Sequence, residues 1–359
     1  VLVTAVEARP LRSLSEVRVE LGDGIVSLIG PNGAGKTNLL EALYFALVGR
    51  SFRTSDRRDL IPFAGQFARA EAIVQTEDQV EHRLLASVSR AEGRRHLLDG
   101  NPAEPTVLAR HRPPVAVFSP DRLALIKGPP GERRAHLDSY VAARRPPLAD
   151  LRRRYGQVLA QRNALLAGGR SSADLSAWDA TLAEAAAALI QARSEAVAEL
   201  SPPFAAAAAD LGLGAGATIE YAPRAAGSPA DICAGLAERH EADLRLGRTT
   251  WGPHLDELKI LAGGRSLRRY GSQGQQRAAL LALLFAEREA LLAAHRTVPL
   301  LLLDDVMSEL DAERRQRLVE RLARGGQALI TAAAEESVPA LALERLLRVP
   351  FPTARAAAA

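Results

Sequence analysis

Gly30-Pro31-Asn32-Gly33-Ala34-Gly35-Lys36-Thr37 has the G-x-x-x-x-G-K-[ST] spacing of a phosphate-binding loop, or P-loop, and each position has a physical task. Glycines let the backbone wind tightly enough to turn successive N–H groups toward one anion. Lys36 sets a cation beside the outer phosphates, and the Thr37 hydroxyl is the expected Mg²⁺ ligand. The flanks agree. Ile25-Val26-Ser27-Leu28-Ile29 predicts a short buried strand. Residues 36–48, with Leu39, Leu40, Leu43, Phe45 and Leu47, predict the helix whose N-terminus meets the anion. Only three lysines (Lys36, Lys127 and Lys259) stand among 46 basic residues, so a strong bias toward arginine has spared this one. The loop implies a bound nucleoside triphosphate, with Gly30, Asn32, Gly33, Ala34, Gly35, Lys36, Thr37 and Asn38 as its expected contacts.

The rest of the composition sets outer bounds. A chain of 359 residues can bury one large core or two modest ones, and two lobes are expected. A net charge of +4 with a pI near 9.5 allows an acidic partner without demanding one. The single cysteine, Cys233, excludes an internal disulfide framework and any C-x-x-C metal clip, which fits a reducing compartment. The longest strongly apolar run, residues 278–286, falls short of the ~20 residues needed to span a bilayer. The first eight residues lack the charged-then-apolar layout of a signal peptide. A soluble, cytoplasmic protein is expected.

Strand-like texture marks residues 1–7, 17–21, 68–74, 82–89 and 115–118. From about residue 121 to 246 the texture becomes rich in Ala, Leu and Arg and helical in period. Leu148, Leu151, Tyr155, Val158 and Leu165 form one stripe. Leu175, Trp178, Leu182, Leu189, Ala192 and Ala196 form a second, and Gly168-Gly169-Arg170-Ser171-Ser172 lies between them. A helical hairpin with arms of about 20 residues, ~30 Å long, is expected there. Strand texture returns at residues 258–261 and 267–270, followed by a helix over residues 275–294. The tail reads as helix (311–322), strand (327–331) and helix. The expected architecture is therefore one α/β domain from residues 1–120 and 247–359, with an α-helical lobe, residues 121–246, inserted between the two halves.

Leu300-Leu301-Leu302-Leu303 feeding into Asp304-Asp305 has the form of a Walker B strand: an apolar run covered on both faces, with a carboxylate at its end to hold Mg²⁺ through water. Ser272-Gln273-Gly274-Gln275 opens a helix about 30 residues earlier. It resembles the S-G-G-Q signature of ATP-binding-cassette (ABC) ATPases, and Ser308-Glu309-Leu310-Asp311 resembles their D-loop. The resemblance implies a P-loop NTPase head with a mixed sheet that binds ATP and Mg²⁺. Thr37 and Asp304 would hold the metal, and Lys36, Asp304 and Asp305 would be the catalytic groups. Asp305 stands where many relatives carry Glu, so slow turnover is expected. Ser272, Gly274 and Gln275 would close over the γ-phosphate held by a second copy, so ATP would join two chains into a two-fold dimer.

Longer stretches narrow the family. Gly49-Arg50-Ser51-Phe52-Arg53-Thr54 resembles the RecF family of bacterial recombination mediators. So do Leu125-Ile126-Lys127-Gly128, Arg133-Arg134, Gln161-Arg162-Asn163-Ala164, Gly252-Pro253-His254 and the run of residues 302–318. The pattern departs at Leu11-Arg12-Ser13-Leu14, at Gly271, at His136 and at Thr331-Ala332, where no switch histidine is found. The resemblance implies an ATP-driven clamp on double-stranded DNA, with slow, DNA-stimulated hydrolysis. It acts in recombinational repair and replication-fork maintenance, loading recombinase at gapped or junction DNA with RecR and RecO. Arg152, Arg153 and Arg154, within a series that includes Arg144, Arg145, Arg162 and Arg170, read either as a phosphate track or as a solvated helix face. A protein cargo in place of DNA is the alternative. The inserted lobe is too short for the arms of a long coiled-coil repair ATPase.

Overall fold

The computed structural model describes residues 1–348 apart from 55, 92, 169–171, 215, 296 and 297. The chain divides into two compact units, Val1–Arg122 with Leu291–Ala359, and Leu123–Ala290. The first holds two sheets. Strands β1 (Leu2–Ala8), β2 (Val17–Glu20), β4 (Phe67–Gln75), β5 (Glu81–Ser89), β6 (Gly93–Leu98) and β7 (Asn101–Pro102) form an antiparallel sheet in the order β2-β1-β4-β5-β6-β7. Strands β3 (Ile25–Ile29), β8 (Val115–Phe118), β12 (Leu300–Leu303), β13 (Ala328–Ala332) and β14 (Leu346–Arg348) form a parallel sheet ordered β14-β3-β13-β12-β8. Helix α1 (Lys36–Val48) shares one hydrophobic core with both sheets. That explains a helix buried on most of its circumference rather than along one stripe. Every residue of β12 and β13 is buried, as strands covered on both faces require.

The second unit is helical around a small sheet. Helices α2 (Pro130–Arg144), α3 (Leu151–Ala167), α4 (Ser172–Asp210), α5 (Pro229–Ala237) and α6 (His240–Leu246) accompany β9 (Ala217–Ala222), β10 (Glu257–Ala262) and β11 (Arg265–Ser266). Helix α7 (Gln273–His295) follows. Tyr155, Leu182, Leu189, Ile232 and Leu236 form a core of this unit, which accounts for the apolar stripes of α3 and α4. The turn expected between these helices at Gly169, Arg170 and Ser171 lies outside the described residues.

Four expectations change. The second arm of the hairpin continues well past Ala196 to Asp210, through Pro202 and Pro203. Residues 267–270 form a helical turn closed by Gly271 N–H donating to Leu267 O at 3.1 Å, since the β10–β11 hairpin has already ended the sheet. Residues 247–290, expected with the ATPase halves, cluster with the second unit because β10 pairs with β9 from Glu257↔Ala222 to Ala262↔Ala217. The last expected helix is replaced by short 3₁₀ turns and by β14, which pairs with the edge of β3.

Candidate functional site

The carboxyl ends of the parallel strands converge on one cleft, where open α/β sheets place their ligands. β3 delivers the P-loop and β12 delivers Asp304 and Asp305. β13 is hydrogen-bonded between those two strands and brings Thr331 to the same edge. The cleft measures about 300 Å³. Asn32, Gly33, Gly35, Lys36, Thr37 and Asn38 line it together with Asp304, Asp305, Arg53 and Thr331. A larger cavity, about 770 Å³, opens at the opposite edge of the sheet beside Ile25, Leu300 and Gln327 and holds none of these groups.

Gly33 and Gly35 adopt φ of 83° and 93°, a backbone region in which a side chain would be strained. Gly30 and Ala34 are not among the residues that line the cleft. Gly30 N–H donates to Ala332 O at 3.3 Å and Ala34 N–H to Pro31 O at 3.2 Å. The buried Lys36 ammonium donates to the carbonyls of Gly30 at 2.6 Å and Pro31 at 2.9 Å. Burial lowers its pKa, and the nearby charges of Asp305 and Asp304 pull the other way.

Asp304 is buried, and hydroxyls hold it. Thr37 Oγ1 and Thr331 Oγ1 both donate to its Oδ1, each at 2.9 Å. Burial pushes its pKa above the ordinary range, the two hydroxyls oppose that shift, and the Asp305 charge adds to it. Asp305 is half-buried with φ 49° and ψ 29°, the left-handed region that few non-glycine residues enter. A hydroxyl and a carboxylate, both oxygen donors, suit a hard divalent cation such as Mg²⁺, and the partners of Asp304 are hydroxyls rather than cations.

Sequence reading gave no site role to Thr331 or Arg53. Arg53 lies within the residue 49–54 stretch that carries the resemblance. Its Nη1 donates to Asn38 Oδ1 at 3.2 Å and stands 3.6 Å from the fully buried Glu41. Glu41 also accepts from Arg12 Nη2 at 2.9 Å, which ties the Leu11–Leu14 segment to α1. The family pattern marks Thr331-Ala332 only as the place where a switch histidine is not found. Only its strand's place between the two motif strands brings it in.

Ser272, Gly274 and Gln275 lie in the second unit, at the start of α7. Ser272 N–H donates to Gln275 Oε1 at 2.9 Å, and Gln275 N–H donates to Ser272 Oγ at 3.2 Å. This reciprocal pair is a capping box, so the stretch starts its helix as well as presenting an exposed serine. The arginine series divides. Arg152, Arg153 and Arg154 are exposed at the start of α3, with Arg153 Nη2 2.9 Å from Asp150. Arg144 pairs with Glu199 at 2.7 Å, and Arg145 pairs with Glu195. Arg162 belongs to no surface stripe, because it is wholly buried between Asp179 and Asp243. Arg170 is outside the described residues. Among those residues, no helix is long and apolar enough to cross a membrane, and no group of three or more His, Cys, Asp or Glu is placed to hold a metal.

The RecF/RecN/SMC N terminal domain family matches residues 2–354. The DNA replication and repair protein RecF of Streptomyces avermitilis is 38% identical over 94% of this chain and 95% of its own. The chain belongs to the RecF family. RecF of Myxococcus xanthus is 35% identical over 93% of this chain and 91% of its own. A solved structure described as the recombination mediator protein RecF-ATP in the RecFOR pathway superposes with a TM-score of 0.83, at 28% identity over 94% of each chain. An SMC head bound to the C-winged helix domain of ScpA shares the fold alone, with a TM-score of 0.59 at 17% identity over 97% of this chain and 94% of its own. The architecture is thus that of the ABC/SMC-type ATPase heads. Several RecF-like stretches prove to be packing knots of the second unit. Asn163 Oδ1 accepts from Thr249 N–H at 2.8 Å, Arg133 Nε donates to Glu257 at 2.6 Å, and His254 Nδ1 lies 2.7 Å from the Tyr155 hydroxyl.

Proposed function

We propose that this RecF chain is an ATP-dependent double-stranded DNA-binding protein of recombinational repair and replication-fork maintenance, used as a switch rather than a motor. ATP with Mg²⁺ binds between the P-loop, residues 30–38, and Asp304 of one copy. Ser272, Gly274 and Gln275 of a second copy close over the γ-phosphate and complete a dimeric clamp on DNA. The observation that carries the reading is Asp304, a buried carboxylate held by two hydroxyls at the mouth of the P-loop cleft.

Within that cleft each side chain has a role. Thr37 and Asp304 would hold Mg²⁺, which when bound draws negative charge from the phosphate oxygens. Lys36 leaves its carbonyl partners for the outer phosphates. Asp305 orients the attacking water and accepts its proton, and its side chain, one methylene shorter than Glu, keeps turnover slow. Hydrolysis breaks the bridge between copies and releases the DNA. The solved RecF-ATP structure of the RecFOR pathway supports ATP as the nucleotide and RecR with RecO as partners, and we assign gapped or junction DNA as the working site.

Fluorescence anisotropy on labelled duplex DNA, with and without ATP and Mg²⁺, alongside sedimentation, tests the reading. Dimerisation together with salt-sensitive duplex binding is expected, and Ser272→Arg abolishes both. ATP-driven dimerisation without duplex binding would transfer the cargo from DNA to a protein.

A further inference from the structure

Thr331 stands in a place that size alone would give to valine. It is fourth in β13, wholly buried, among Ala328, Leu329, Ile330 and Ala332. A hydroxyl buried there must be hydrogen-bonded, and this one is used twice. Asp305 N–H donates to Thr331 Oγ1 at 2.8 Å, and Thr331 Oγ1 donates to Asp304 Oδ1 at 2.9 Å. The direction follows from the chemistry: a backbone N–H can only donate, so the single hydroxyl proton goes to the carboxylate.

Asp305 needs such a hold. At φ 49° it occupies a region unfavourable for a side chain with a Cβ, which persists only where the surroundings determine it. Its backbone is tied on both sides, the N–H to Thr331 and the carbonyl by Ser308 Oγ at 2.9 Å. An aspartate has few bonds with which to correct a misplaced backbone, so the direction of its carboxylate follows from these two anchors.

We propose that Thr331 is a positioning residue for ATP hydrolysis: its hydroxyl fixes the left-handed turn at Asp305 and links it to the Asp304 carboxylate, so that the two acids present one geometry to the nucleotide. The proposal rests on the reading of Asp305 as the group that handles the attacking water. Thr331 touches neither phosphate nor water in this role. It acts through the residues that do.

The test uses the full chain with Thr331→Val, which keeps the shape and loses the hydroxyl, and Thr331→Ser, which keeps the hydroxyl. Asp305→Asn runs beside them. Each is read by affinity for a fluorescent ATP analogue with Mg²⁺, by kcat at saturating ATP and by thermal unfolding. Thr331→Val is expected to lower kcat by about tenfold or more while nucleotide affinity stays within about threefold, and Thr331→Ser restores most of the rate. If Thr331→Val does not fold, Thr331→Ala against Thr331→Ser repeats the comparison in the absence of the methyl group. Equal kcat with and without the hydroxyl, while Asp305→Asn is inactive, overturns the role of Thr331 and leaves the base in place. Normal turnover by Asp305→Asn removes the base and the positioning role together.

Discussion

In the second unit, Asp179 and Asp243 close on Arg162, and Asp138 and Asp256 close on Arg193; in the first, Asp304 closes on two threonine hydroxyls. All five carboxylates are nearly sealed from water. The difference lies in what each is left to do. Arg162 Nε meets Asp179 at 2.8 Å and Nη1 meets Asp243 at 2.7 Å, so the charge is spent inside the protein. Around Arg193, burial works against the cation, yet the hydrogen bonds and charge of Asp138 hold its pKa above the ordinary range. Asp304 is hydrogen-bonded by hydroxyls at an open cleft, and burial drives its pKa upward against those hydroxyls and the charge of Arg53. A buried acid facing an arginine serves packing. A buried acid facing hydroxyls beside a P-loop is available to a cation.

Arg162→Ala removes the cation from the second unit's ionic knot. It strands Asp179 and Asp243 in the interior, and a buried pair broken on one side costs about 3–5 kcal/mol. Denaturant unfolding should show a loss of that size, with affinity for an ATP analogue unchanged in the protein that remains folded. A stability close to the parent's would mean that the ionic knot does not hold the second unit together.

Asp304→Asn should do the reverse. Its unfolding midpoint stays level or rises, because an ionised acid with a raised pKa costs the folded state at neutral pH. Mg²⁺-dependent nucleotide affinity should fall about 100-fold, or about 2.7 kcal/mol. The sign with pH follows from the raised pKa of Asp304. In the parent chain, protonation on acidification displaces the cation, so Mg²⁺-dependent binding weakens at a pH above the ordinary aspartate range. The stability contribution of the group runs oppositely: it is full below the unfolded pKa and is lost as pH rises through the folded one. Asp304→Asn removes both dependences. A variant that binds Mg²⁺-ATP normally would place the metal elsewhere.

How much of this was legible beforehand depended on whether the signal was local. The P-loop, α1 with its ends at Lys36 and Val48, and β12 with its terminal acids follow from spacing and from an unbroken apolar run, which neighbours in sequence specify. Thr331 was not legible as a site residue, since only the order β3-β13-β12 brings it to Asp304, from 27 residues away. Arg162 was misplaced on the surface for a related reason. Its charge puts it in the arginine series although helical period puts it on the apolar stripe of Tyr155, and the acids that bury it come from other helices, α4 and α6. The strand β9 was missed inside Ala-rich helical texture, because its pairing with β10 is long-range.

Arg152, Arg153 and Arg154 carry exposed rather than buried charge. Arg153 and Asp150 are both well exposed, and such a pair is screened by water and salt. Arg152 reaches Asp138 only at 3.7 Å, where Arg193 already satisfies that acid at 2.8 Å. Changing all three arginines to Ala should therefore leave the unfolding midpoint where it is. If these side chains follow a DNA backbone, the cost appears in duplex affinity alone. The slope of log affinity against log salt should then flatten by up to about 0.9 for each phosphate no longer neutralised, and equally for unrelated sequences. An unchanged slope with unchanged stability would assign the three arginines to solvent and move the DNA track to another face. A lowered midpoint with an unchanged slope would show that exposed pairs at the start of α3 hold the fold, against the distinction drawn from Arg162 and Asp304.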